Sequence, residues 1–185
     1  MSQKTSLSSG GKLYGHLTVT VYEVKNGQRR RVLRMANKNQ VTNGGRETVL
    51  ALLAQDIAGT IQQQNPNYNQ IWSLAVGDNP TPVSIGDVSL YSELPPRRVL
   101  TIPAEREFII VPPNIFEIHI HKEIPPGDLT GAHLCEAGLY TRGSTDDPTT
   151  SLNQVLYARQ IHPEFEKGAL MAVEYDWRLG MLVQS

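Results

Sequence analysis

Apolar and polar positions alternate one for one near the start of the chain. Leu17, Val19 and Val21 are interleaved with His16, Thr18, Thr20 and Tyr22, and a period of two is the signature of a strand. Asn26-Gly27 follows, a pair suited to the two positive-φ positions of a type I′ turn. Residues 29–35 then return with the same alternation, so the pattern predicts a β-hairpin over 15–36. Simple alternation sends Arg29 and Arg31 to one face of the return strand and Arg30 and Arg34 to the other. A strand with arginines on both faces does not fit inside its own core, so this hairpin is expected to project.

The period changes to helical between Thr42 and Ile57, where Val49, Leu50, Leu52, Leu53 and Ile57 form one stripe. Thr42 is placed to cap the first turn. Gly44 and Gly45 weaken that turn and suggest a close backbone approach. Beyond an amide-rich loop at 60–70, the strand period returns. Ile71–Val76 is short and apolar. Arg98–Ile102 and Glu107–Val111 read as extended segments. In Ile115–Lys122, Phe116, Ile118 and Ile120 alternate with Glu117, His119 and His121. His133–Thr141, Val155–Ile161 and Leu170–Leu179 complete about eight strands, with turn signals between them and no helical crossovers. This predicts a mainly β fold: an antiparallel, jelly-roll-like β-sandwich with one α-helix. Residues 1–14, rich in Ser, Gly and Lys, are expected to form a flexible arm, and 15–185 a single domain.

Composition narrows the function classes. The 185 residues include 15 Gly and 12 Pro, which argues against a helical bundle. No apolar run approaches the roughly 18 residues of a membrane span, and the polar N-terminus does not read as a secretory signal, so no membrane partner is expected. The one cysteine, Cys135, cannot form a disulfide within the chain. The net charge of −1 hides a polarity: residues 1–46 carry +8 and the remainder −9. That suggests head-to-tail docking of copies or a basic arm that seeks an acidic partner; solvated faces of one fold are the other reading. Lys25, Arg29, Arg30, Arg31 and Arg34 are the candidate protein-interface residues. The Arg29-Arg30-Arg31 run has no accompanying nucleic-acid motif, so no nucleic acid is expected.

Little in the chain points to catalysis. Gly10-Gly11-Lys12 lacks the remaining residues of a phosphate loop. His119-x-His121 and His133-x-Cys135 would make four zinc ligands if their strands were neighbours; a polar outer face with Cys135 turned inward is the plainer reading, and no metal or cofactor is expected. Glu117 and Glu136 could pose as a glycosidase pair, but no aromatic-lined cleft accompanies them. Trp72 and Trp177 read as core or interface aromatics.

Several segments together resemble a family. Asn39-Gln40-Val41-Thr42-Asn43-Gly44-Gly45-Arg46 precedes the apolar helix. Leu74-Ala75-Val76-Gly77 follows, with Pro80, Pro82, Leu90 and Glu93. Glu136-Ala137-Gly138-Leu139-Tyr140 and Tyr157-Ala158-Arg159 come next, with His162-Pro163, Lys167 and a final strand holding Trp177. This order, over residues 37–180, is similar to a group of tailed-bacteriophage virion proteins of the tail-fibre, baseplate and collar type. The resemblance implies a non-enzymatic structural component of the virion, assembled in the host cytoplasm as a homo-oligomer with other virion proteins. It implies no catalytic residues. A capsid decoration protein and a carbohydrate-binding host-attachment module are the alternatives.

Overall fold

The computed structural model describes residues 12–46, 70–100, 104–111, 115–142 and 154–182. Among these are nine strands: β1 (Lys12–Lys25), β2 (Gln28–Val41), β3 (Ile71–Gly77), β4 (Glu93–Val99), β5 (Arg106–Val111), β6 (Ile115–Ile124), β7 (His133–Thr141), β8 (Leu156–Glu166) and β9 (Met171–Leu182). All their pairings are antiparallel. One sheet runs β2-β1-β9-β6-β5 and the other β4-β3-β7-β8. The end of β2 joins them, because Gln40 and Val41 pair with Arg159 and Ala158 of β8. The mainly β, antiparallel sandwich read from the sequence is the fold of the chain.

The core lies between the sheets. Leu17, Val19 and Val21 of β1, Ile120 and Ile124 of β6, and Val173, Tyr175 and Trp177 of β9 face Leu74, Val76, Leu134 and Leu139 of the second sheet. Alternation explains the first sheet: its apolar positions turn inward and its polar ones outward. The second sheet is covered on both faces, so β7 is buried continuously from Leu134 to Thr141. Its outer cover comes from residues 78–92, where Leu90 packs with Ala75, Tyr140 and Leu156. Gly138 makes room for this layer, since a Cβ there would stand 2.8 Å from Leu90. β4, with Pro95 and Pro96, is an edge strand, the place where a missing N–H costs a sheet least.

Three expectations about the N-terminal third are refined. The hairpin is longer, spanning 12–41 rather than 15–36, and its turn has φ of 52° at Asn26 and 75° at Gly27, as the pair implies. It does not project. β1 is held along its length between β2 and β9, and its inward residues belong to the core. The arginines are accommodated because the first part of β2 lies at the margin of the sheet. The register of β1 and β2 also slips at Val21/Tyr22, where Tyr22 faces Arg31 and Val21 faces Leu33. This bulge at Val32 resets the alternation. Arg34, opposite Thr20, thereby joins Arg29 and Arg31 on the outer face, and Arg30 alone turns the other way.

The helix starts where the sequence places it. Residues 43–46 are helical, and Thr42 Oγ1 accepts the Gly45 N–H at 3.1 Å. A Cβ on Gly45 would stand 2.1 Å from the Tyr157 carbonyl oxygen, which is the close approach its glycines suggest. The rest of the helix expected to Ile57 lies outside the described residues; of the arm expected over 1–14, residues 12–14 belong to β1, where they pair with β9, and the remainder lies outside the described residues.

Candidate interaction face

The outer face of the β2-β1-β9-β6-β5 sheet forms a polar trough of about 850 Å³. Strand alternation builds it. The even-numbered positions of β1, from Tyr14 to Tyr22, make its central column. Beside them β9 presents Glu174, Asp176 and Arg178, and β6 presents Glu117, His119 and His121.

Most polar side chains inside the trough bond one another. Tyr14 Oη donates to Glu117 at 2.5 Å, and the other Glu117 oxygen meets His119 Nε2 at 2.6 Å. Burial and this bond push the Tyr14 hydroxyl up to about 12, and the same bond holds the Glu117 carboxyl below its ordinary range. His121 Nδ1 lies 2.6 Å from Asp176. Arg29 reaches across β1 and β9 to Glu123 at 2.7 Å and Glu174 at 3.0 Å. Tyr22 lies beneath its guanidinium, and burial together with Glu174 raises the Tyr22 hydroxyl.

Arg178, on the middle strand, is exposed in the trough and makes no ion pair among the described residues, and further unpaired charges sit at the margins. Arg31 and Arg34, on the β2 side, are exposed and make no ion pair among the described residues. Glu107, on the β5 side, is likewise exposed and without a described ionic partner. Of the other candidate interface residues, Lys25 and Arg30 both pair with Glu23, at 2.8 and 2.6 Å, and lower its carboxyl pKa. The structure therefore divides the five candidates. Lys25, Arg29 and Arg30 have carboxylate partners within the chain, and Arg31 and Arg34 make no ion pair among the described residues.

The conditional chemical readings come apart. β6 and β7 belong to different sheets, so His119 and His121 are not brought to His133 and Cys135. His133 is exposed and pairs with Glu164 at 2.7 Å, whereas Cys135 is buried and its thiol is pushed up to about 11 by that burial. No described group of three His, Cys, Asp or Glu side chains could hold a metal ion. Glu117 and Glu136 also lie on different sheets. Trp177 is in the core; Trp72 is half-buried beneath the Arg142 guanidinium, 4.7 Å from the ring centre.

Glu136 serves instead in a buried cluster that inspection of the sequence did not foresee. Arg159, fully buried, donates from Nε to Glu136 at 2.5 Å and from Nη1 to Asp87 at 2.9 Å. Its Nη2 donates to the Thr81 carbonyl at 2.9 Å, and Tyr91 stacks on the guanidinium plane. Glu136 in turn accepts the Tyr91 and Ser92 amides. Gly77 permits this, since a Cβ there would lie 2.5 Å from the Glu136 carboxylate. The cluster pins residues 78–92 over the second sheet. The available signal was an acid and an arginine each embedded in apolar strands, Leu-Cys-Glu-Ala-Gly-Leu and Leu-Tyr-Ala-Arg, because a buried charge demands a partner.

Compared with known protein families, curated proteins and solved structures, the chain matches none.

Proposed function

We propose that this protein is a non-enzymatic structural component of a tailed-phage particle, at the tail, baseplate or collar, that assembles with its own copies and with neighbouring virion proteins. The supporting observation is where the segments of the resemblance go. The Gly44-Gly45 turn, Gly77, Leu90, Glu136–Tyr140 and Tyr157–Arg159 lie together, in and over the second sheet. They shape packing: glycines admit close neighbours, and the Arg159 cluster fastens a loop. A shared pattern that specifies packing suits a scaffold, and it leaves the first sheet's face and edges for partners. The resemblance supplies the virion context, and the separation of charge along the chain supplies a means of association.

The test is binding of the purified chain to isolated phage tails and to empty heads, read by co-sedimentation and by electron microscopy of labelled protein. Binding to tails is the expected result. Binding to heads alone would make it a decoration protein. A monomer that binds neither but retains host polysaccharide would make it an attachment module.

A further inference from the structure

We propose that copies of this chain join head to tail by continuing the first sheet, with the outer edge of β2 in one copy beside the outer edge of β5 in the next. This rests on the assembly reading above and specifies the junction. Among the described residues both edges are open. β5 pairs only with β6, and β2 pairs with β1 until Gln40 and Val41 meet β8. An open edge presents unpaired N–H and C=O groups that another strand can satisfy. The β2 edge also carries apolar surface that a soluble monomer would do better to cover: Val32 is 44% and Leu33 37% exposed.

Charge selects the partner. From Gln28 to Lys38 the chain has five basic side chains and no acidic one. Across 104–111 and 115–124 there are four carboxylates, Glu105, Glu107, Glu117 and Glu123, against Arg106 and Lys122. Pairing β2 with β2 would set arginines against arginines, and pairing β5 with β5 would set carboxylates against carboxylates. Across the sheet Glu107 is level with Lys38, by way of His119, Arg178 and His16, so pairing β2 with β5 brings Arg34 and then Arg31 of one copy toward Glu107 of the next, on the same outer face, when the neighbour is offset along the strands by at least the four residues from Lys38 to Arg34. Guanidinium and carboxylate suit such a contact because they can pair in a two-pronged fashion.

The topology fixes the direction. Four successive antiparallel pairings separate β2 from β5, so these two strands run the same way. A neighbour related by rotation about an axis along the strands, with a slide along that axis, therefore docks with its edge parallel and beside the open stretch of β2. Because the two surfaces differ, the contact repeats, and with that slide it gives an open helix rather than a two-fold dimer.

The experiment is sedimentation velocity on the full chain across a concentration series, at low salt and at about 0.5 M salt, where the Debye length is about 4 Å. Wild type should associate at low salt and dissociate partly at high salt. R31E/R34E, and separately E107R, should each weaken association about tenfold, with unchanged thermal melting. An equimolar mixture of the two variants should recover it, because one junction keeps the native charges and the other has them exchanged. Variants that assemble like wild type, or a mixture that fails to recover, overturn the junction. So does a wild-type chain that stays monomeric, in which case the arginines merely guard a bare edge. A monomer that still sediments with tails overturns the junction and leaves the virion reading standing; a chain that assembles but ignores tails and heads does the reverse.

Discussion

Arg159 is the residue on which the second sheet and its covering loop depend. It is buried against Glu136 and Asp87, so replacing it with methionine strands two carboxylates without a counter-charge. We expect Arg159→Met to cost about 3–5 kcal/mol, read as a lower midpoint in urea denaturation. Adding Glu136→Gln should cost less than the sum of the two single changes, since it removes one of the stranded charges. His162 gives a pH dependence. It is buried beside Phe165 and Tyr175, and burial holds its imidazole below the ordinary range. The unfolded chain takes up that proton near pH 6.5, whereas the folded chain does so only at lower pH. Its contribution is therefore complete above about pH 6.5 and is lost as pH falls toward the folded value. Thermal melts between about pH 8 and pH 5 should decline more steeply for wild type than for His162→Gln. At this scale, burial by alternation was legible, as with Leu17, Val19 and Val21, but partnership was not. Glu136 and Arg159 are apart in the chain, and only the β7–β8 register sets them side by side.

The hairpin and the start of the helix were the elements most open to reading, because turn chemistry and period act locally. Asn26-Gly27 forms its turn, and Thr42 caps the helical turn. The Val32 bulge escaped because an extra residue leaves no mark in a one-for-one alternation, and missing it placed Arg34 on the wrong face. The strand at 93–99 was hidden by its two prolines, which an edge position tolerates. Two glycines separate torsional from steric demand. Gly27 has positive φ and open space around it, so Gly27→Ala should cost about 1 kcal/mol. Gly45 has no room: its Cβ would meet backbone, which cannot swing aside. Gly45→Ala should therefore be the more damaging, at about 2–3 kcal/mol, and calorimetric melting of the two variants checks the order.

At the scale of the molecule, the class of fold was legible and the arrangement of its layers was not. Repeated strand periods with turns between them imply a sandwich. Nothing local reveals that residues 78–92 form a cover over one sheet, or that charges at the two margins of the other would be left over. Those follow from which strands become neighbours. β9 shows what this means for a chain as it is made. It lies between β1 and β6, yet it is synthesised after both. A nascent chain leaving the ribosome therefore carries the β1–β2 hairpin with one flank waiting, and the β5–β6 hairpin with another, until β9 arrives to fill the gap. The second sheet has no such debt, since β3, β4, β7 and β8 emerge first. We expect that stopping translation before Met171 yields a chain whose first sheet stays open to proteases, and that adding the missing strand as a peptide restores protection. Folding of the first sheet is then governed by the last strand to appear, and its exposed flanks are the interval in which chaperones or wrong partners have their opportunity.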